Sequence, residues 1–293
     1  MTSTLFLGFV AMMAAIVVGL VARYLSRRAT FSVLAGLSMW FIYVGLMGYF
    51  GVVRNTAMRP PGIAFLVVPV LGFLIFFIVR FSADARVALA FPLWIILGMQ
   101  CFRIGVELFL HQLWIDGLVP KMLTFEGANV DIYVGASAPL IAWWSTRGRF
   151  GMRLALAWNV LGLLALTNVV IRAVLTAPGP FNLIHAEVPN LMLGTFPFLF
   201  IPGFFVPLAV VLHVLAIRAI SSRLRTAIPS VVSSDRAGPQ TVLLSAAPPD
   251  VAKAATVAEV DQQGKTADWP KRVVEKTGGW EIQGTVLLDT TRL

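Results

Sequence analysis

Gln100, Arg103, Glu107 and His111 follow one another at intervals of 3, 4 and 4 residues inside an otherwise apolar stretch. At helical periodicity they share one stripe, about 80° wide, that climbs about 16 Å along the axis. The stripe holds a fixed cation, a carboxylate and an imidazole, so it is equipped to hold an anion or to pass a proton. A charge at the centre of a membrane helix costs about 2.5–3.5 kcal/mol, so such a stripe must face protein or water, not lipid. Arg103 and Glu107 are four residues apart and are expected to pair, which offsets part of that cost. The pair could simply lock a bundle; the functional alternative is a pocket open to the outside.

Further polar residues fall at the same depth. Asn168 and Arg172 are four apart on a later apolar run, and Asp131 opens the run before it. Arg172 alone also reads as a side chain snorkelling to headgroups. Gln100, Arg103, Glu107, His111, Asn168, Arg172 and Asp131 are therefore the candidate ligand-binding residues, with none assigned as catalytic. The connection 112–130 carries Asp116, Lys121 and Glu126 among Trp114, Leu118, Met122 and Phe125, which suits either a lid or an interfacial segment. Glu107 and His111 have the spacing of two metal ligands on one helix face, and Asp131, His185 or Glu187 would have to add a third. With 3 histidines in the chain, neither a metal nor another cofactor is expected.

The elements that must position these residues follow from composition. Of the 293 residues, 58% are hydrophobic and 13% charged, and the mean hydropathy is +0.84. A soluble domain carries about 25% charged residues, so the expected class is an all-α integral membrane protein. Crossing about 30 Å of hydrocarbon takes roughly 20 apolar residues. Apolar runs cover 5–21, 31–53, 62–79, 87–110, 132–144, 154–175 and 191–217. They predict a bundle of about seven transmembrane helices over residues 1–220. The run at 132–144 is short, and if it is re-entrant the count falls to six.

Charge sets the orientation. Arg23, Arg27, Arg28, Arg80, Arg86, Arg147, Arg149, Arg153, Arg218, Arg223 and Arg225 fall on one side of this arrangement. Arg54, Arg59, Lys121 and Arg172 fall on the other. The first side is expected to be cytoplasmic, with the N-terminus outside and the C-terminus inside. No Lys or Arg precedes the first run, so it reads as a retained helix and not a signal peptide. The net charge of +9 then belongs to an inner membrane face and not to a nucleic-acid surface. The location expected is a bacterial cytoplasmic (inner) membrane, in contact with its lipids.

Residues 221–293 read as a cytoplasmic tail, mostly disordered, since 228–266 are rich in Ser, Ala, Pro, Gln and Asp. Two β-prone runs about Gly278 and Gly279 suggest a hairpin over 271–289, ordered on a protein partner. In the seventh run, Pro197, Pro202 and Pro207 recur every five residues and predict a hinge or a bend, whose freed carbonyls need other donors. His213 is expected near the cytoplasmic end, as a satisfied polar residue between helices. The lysines, Lys121, Lys253, Lys265, Lys271 and Lys276, all lie outside the runs, which excludes a retinal Schiff base. No phosphate loop, paired-cysteine motif, zinc-protease motif or serine elbow is present.

The segment Gln100-Cys-Phe-Arg-Ile-Gly-Val-Glu-Leu, with Leu123-Thr-Phe-Glu-Gly-Ala-Asn-Val-Asp-Ile, resembles a family of uncharacterised bacterial polytopic membrane proteins. So does Phe196-Pro-Phe-Leu-Phe-Ile-Pro-Gly-Phe-Phe-Val-Pro-Leu with His213 beyond it. The resemblance covers about residues 1–221 and implies the helical fold, with no activity to carry over. On the residues themselves, the first functional expectation is an outward-facing polar pocket that binds or transports a small polar or anionic solute. The alternatives are a membrane-embedded enzyme acting on a lipid-like substrate, with Glu107 or His111 as base, and a scaffold with a structural charged stripe.

Overall fold

The computed structural model describes residues 1–82, 85–179 and 181–226. These residues are mostly helical, with no strand among them. The helices are α1 Thr2–Tyr24, α2 Arg27–Tyr49, α3 Ala64–Ser82, α4 Arg86–Ala90, α5 Leu93–Gly98, α6 Phe102–Ile115, α7 Asp131–Trp144, α8 Gly148–Thr176 and α9 Val206–Thr226. Among the described residues, five segments are long and apolar enough to cross a membrane: Thr2–Tyr24, Arg27–Tyr49, Leu93–Ile115, Gly148–Thr176 and Ile201–Thr226. Ala64–Arg80 is a shorter apolar helix. Residues 221–226, expected to begin the tail, continue α9; the rest of the expected tail, with the hairpin at 271–289, lies outside the described residues.

Two of the expected runs are displaced, both by proline. The run expected at 87–110 breaks at Phe91, whose extended backbone precedes Pro92, as the residue before a proline disfavours the helical region. Helix resumes at Leu93 and continues through a 3-10 turn, Met99–Cys101, into α6. The run expected at 191–217 begins helix ten residues late, in a π turn over Ile201–Phe205. Pro197 lies before that helix and Pro202 in its first turn, where a missing N–H costs little. The shift also moves His213 from the end of the expected run to the middle of Ile201–Thr226.

Two of the prolines inside helices, Pro207 and Pro69, leave carbonyls without their i+4 donors, and α2 supplies both. Pro207 cannot donate to Gly203, and the Trp40 indole N–H does so at 2.7 Å. Pro69 cannot donate to Phe65, and the Tyr43 hydroxyl does so at 2.6 Å. Trp40 and Tyr43 stack on each other, ring centroids 5.3 Å apart. A carbonyl freed in an apolar bundle has no water to turn to, so these two side chains fasten α2 to the π turn before α9 and to α3.

The core lies between α9 and the helices around it. α9 packs on α8, α5, α3 and α4, and α7 lies against α5, α6 and α8. On the other side α1 meets α6 through a cluster of phenylalanine rings, Phe6 on Phe109, Phe198 and Phe205, and Phe9 stacked on Phe205.

The connection between α6 and α7 folds back into the bundle. Ile115 ends α6 about 18 Å beyond Arg103 along the axis, yet the chain returns to place Asp131 beside Arg103 by residue 131. Val119, Pro120, Leu123, Thr124 and Asn129 are buried along the way. In a membrane-spanning bundle, non-helical backbone is tolerated only where protein encloses it or it lines a water-filled cavity. Gly127 permits one close pass, because a Cβ there would fall 2.4 Å from the Lys121 carbonyl oxygen. α7, 14 residues long, then spans about 20 Å and is too short to cross a bilayer alone.

Candidate functional site

The polar cluster is assembled where α7 begins against the first turns of α6. Gly135 allows this approach: a Cβ on it would lie 2.9 Å from Ile104 Cγ1 and 3.2 Å from Arg103 Cβ. Arg103 Nη1 donates to Asp131 Oδ1 at 3.3 Å. Arg103 is 2% exposed, Glu107 1% and Asp131 6%. The expected Arg103–Glu107 pair is not formed among the described residues. Glu107 instead accepts at Oε1 from Asn129 Nδ2. Asn129 also donates to the Leu123 carbonyl at 3.0 Å and accepts from the Asp131 N–H at 3.0 Å. One amide thus ties the folded-back connection, the start of α7 and the α6 carboxylate together.

Several polar atoms remain buried without a partner here: Arg103 Nε and Nη2, Glu107 Oε2 and Gln100 Oε1. Buried polar atoms are nearly always paired, so a cluster of orphans at one place marks a seat for water or a ligand.

A cavity of about 360 Å³ lies beside Arg103 and Glu107. Arg103, Glu107, Asn129 and Asp131 line it on the α6–α7 side, and Arg54 and Asn190 also reach it. Nearly all of its remaining wall is apolar, from α3, α8 and the first turns of Ile201–Thr226, including Leu66, Val70, Val170 and Phe205. α3 and α8 both line the cavity without packing closely on one another. Leu71 and Ile171, on its wall, are 50% and 51% exposed, so the cavity opens sideways between these two helices.

The other expected site residues stand apart from the cavity. Gln100 is buried and directs Nε2 to the Ala209 carbonyl at 3.4 Å. His111 stacks on Phe125, centroids 4.7 Å apart, beside Trp114. Arg172 Nε donates to Asn168 Oδ1 at 2.9 Å, and Asn168 Nδ2 to the Ala128 carbonyl at 3.0 Å. Asn168 and Arg172 thus brace the folded-back connection. Lys121 N donates to Glu187 Oε1 at 2.6 Å, joining that connection to the segment after α8. Among the described residues no three His, Cys, Asp or Glu side chains converge as metal ligands would. His213 sits fully buried, Nδ1 2.8 Å from Asn159 Oδ1, with Nε2 unpartnered.

Asn129 and the α3 wall are what the sequence reading missed. The signal for Asn129 was its place two residues before Asp131, both polar at the edge of an apolar run. The wall gave no signal, because apolar residues facing a cavity and facing lipid look alike in sequence.

No curated protein and no solved structure matches the chain. Residues 60–221, more than half of the sequence, match the family described as "Domain of unknown function (DUF8737)". That stretch runs from before α3 almost to the end of α9 and contains the whole polar cluster and most of the cavity wall. The chain belongs to this uncharacterised family.

Proposed function

We propose that the chain is a multi-pass membrane protein whose cavity binds a small amphiphile, its apolar part along α3 and α8 and its polar end at Arg103 and Glu107. One observation carries the reading: a cavity apolar along most of its wall is lined on one side by Arg103 and Glu107, buried side chains that each keep polar atoms without a partner. A freely soluble polar solute would find little to bind along that wall. The sideways opening at Leu71 and Ile171 suits a ligand arriving from the lipid. This shifts the expectation from a small polar or anionic solute towards a lipid-like one. It leaves binding, transport and turnover on one site. Glu107, which lines the cavity, keeps Oε2 without a hydrogen-bond partner, and chemical change of recovered ligand would mark an enzyme.

In this reading the bundle crosses the membrane seven times, with residues 116–130 and α7 together making the fifth crossing. The N-terminus is outside and the C-terminus cytoplasmic, supported by the arginines at the ends of α1, α3, α7 and α9. Residues 227–293 would form a tail that engages a protein partner.

The test is ligand occupancy of protein purified in native-lipid nanodiscs. Native mass spectrometry should detect a bound single-chain amphiphile. Val170→Trp, which fills the cavity from α8, should abolish that occupancy while the helical spectrum is kept. Stoichiometric binding that survives Val170→Trp would reject the cavity as the site.

A further inference from the structure

We propose that the ligand is a single-chain amphiphile ending in a planar head that both accepts and donates hydrogen bonds, a carboxylic acid or its primary amide. The proposal rests on the amphiphile reading above and names the class of ligand for that same cavity.

The head is specified by the atoms left over. Arg103 spends Nη1 on Asp131, which leaves Nε and Nη2 buried and free. Those two nitrogens form one edge of the guanidinium, a pair of roughly parallel donors that matches a planar carbonyl or carboxyl oxygen. One helical turn on, Glu107 spends Oε1 on Asn129 and leaves Oε2 as a free acceptor. Residues four apart on a helix lie about 5–6 Å from one another at Cβ, and both line the cavity. The seat therefore offers donors beside an acceptor.

Single-function heads fit it badly. A bare carboxylate satisfies Arg103 but brings a further negative charge beside the Asp131 carboxylate, and like charges in one site oppose each other. An ammonium satisfies Glu107 but faces the guanidinium. A head with C=O and O–H, or C=O and N–H, on one carbon meets both: its carbonyl accepts from Arg103 and its O–H or N–H donates to Glu107 Oε2. The volume limits the rest. A cavity of about 360 Å³ sits at the low end of the roughly 300–1,000 Å³ range of small-molecule sites, enough for one chain and not two.

The test uses the full chain in nanodiscs and dodecanoic acid carrying a mid-chain diazirine as photoprobe. Saturable labelling should map to cavity-lining residues of α3 and α8. Dodecanoic acid and dodecanamide should compete at least about 10-fold better than methyl dodecanoate, which cannot donate, and dodecylamine, which cannot accept from Arg103. Glu107→Gln places an amide N–H where Oε2 stands, so the methyl ester should then rise to match the acid. Saturable labelling with all four competitors equal overturns the head assignment and leaves the amphiphile reading standing. An unchanged ranking in Glu107→Gln also overturns it. Absence of saturable labelling on α3 and α8 overturns both.

Discussion

Arg103 and Asp131 stand 28 positions apart in the sequence and 3.3 Å apart in the structure, joined by an ion pair buried between α6 and the start of α7. The partner four residues along the same helix, Glu107, is held instead by Asn129. The stability of the polar cluster therefore depends on how the connection 116–130 folds back and not on a pair within one helix.

The double-mutant behaviour follows from that pairing. Arg103→Met strands the Asp131 carboxylate in the bundle, at a cost of about 3–5 kcal/mol. Adding Asp131→Asn should recover most of the loss, whereas adding Glu107→Gln should recover little. Thermal unfolding of the purified variants checks this. Equal rescue by the two second mutations would show that Asp131 is not the partner.

Asn129→Ala should do more than remove one bond. It leaves Glu107 Oε1, the Leu123 carbonyl and the Asp131 N–H without their partner, each worth about 1–3 kcal/mol when buried. Hydrogen exchange over residues 116–131 should accelerate well ahead of exchange in α8. Uniform acceleration across the bundle would place the weakness elsewhere.

Trp40→Phe and Tyr43→Phe each take the donor from a carbonyl that a proline has freed. Each should destabilise by about 1–3 kcal/mol. The converse changes, Pro207→Ala paired with Trp40→Phe and Pro69→Ala paired with Tyr43→Phe, should restore stability, because the helix then supplies the missing N–H itself. Melting temperatures of the paired variants no higher than those of the single aromatic variants would refute the assignment.

Gly135→Ala should push α7 away from α6, since the new methyl group meets the backbone of Ile104 and the Arg103 Cβ. Overpacking of this kind costs about 1–3 kcal/mol. Ligand occupancy should fall with it, as the Arg103–Asp131 geometry loosens. Full occupancy in a destabilised Gly135→Ala protein would separate the ligand seat from that helix contact.

Helical class was legible in the sequence because apolar runs of sufficient length have few other readings. The stripe was legible too, since Arg103 and Glu107 in an apolar helix must face protein, and both are buried. Their partners were not. An i,i+4 carboxylate is visible in any sequence, whereas Asp131 reaches Arg103 only because the connection turns inward and Gly135 lets α7 come close. Run lengths also hid the breaks at Pro92 and before Ile201, where backbone restriction at proline outweighs hydropathy. Asn168 and Arg172 share a face as their spacing requires, but that face supports Ala128 and not the cavity.

The most direct measurement is an experimental density map of the protein purified with native lipid. The account predicts an elongated, continuous density between α3 and α8, in contact with Val70 and Val170, ending within hydrogen-bond distance of Arg103 Nε and Nη2 and Glu107 Oε2. A cavity that holds only discrete water peaks at those atoms, or one closed by α3 packing directly onto α8, would contradict it.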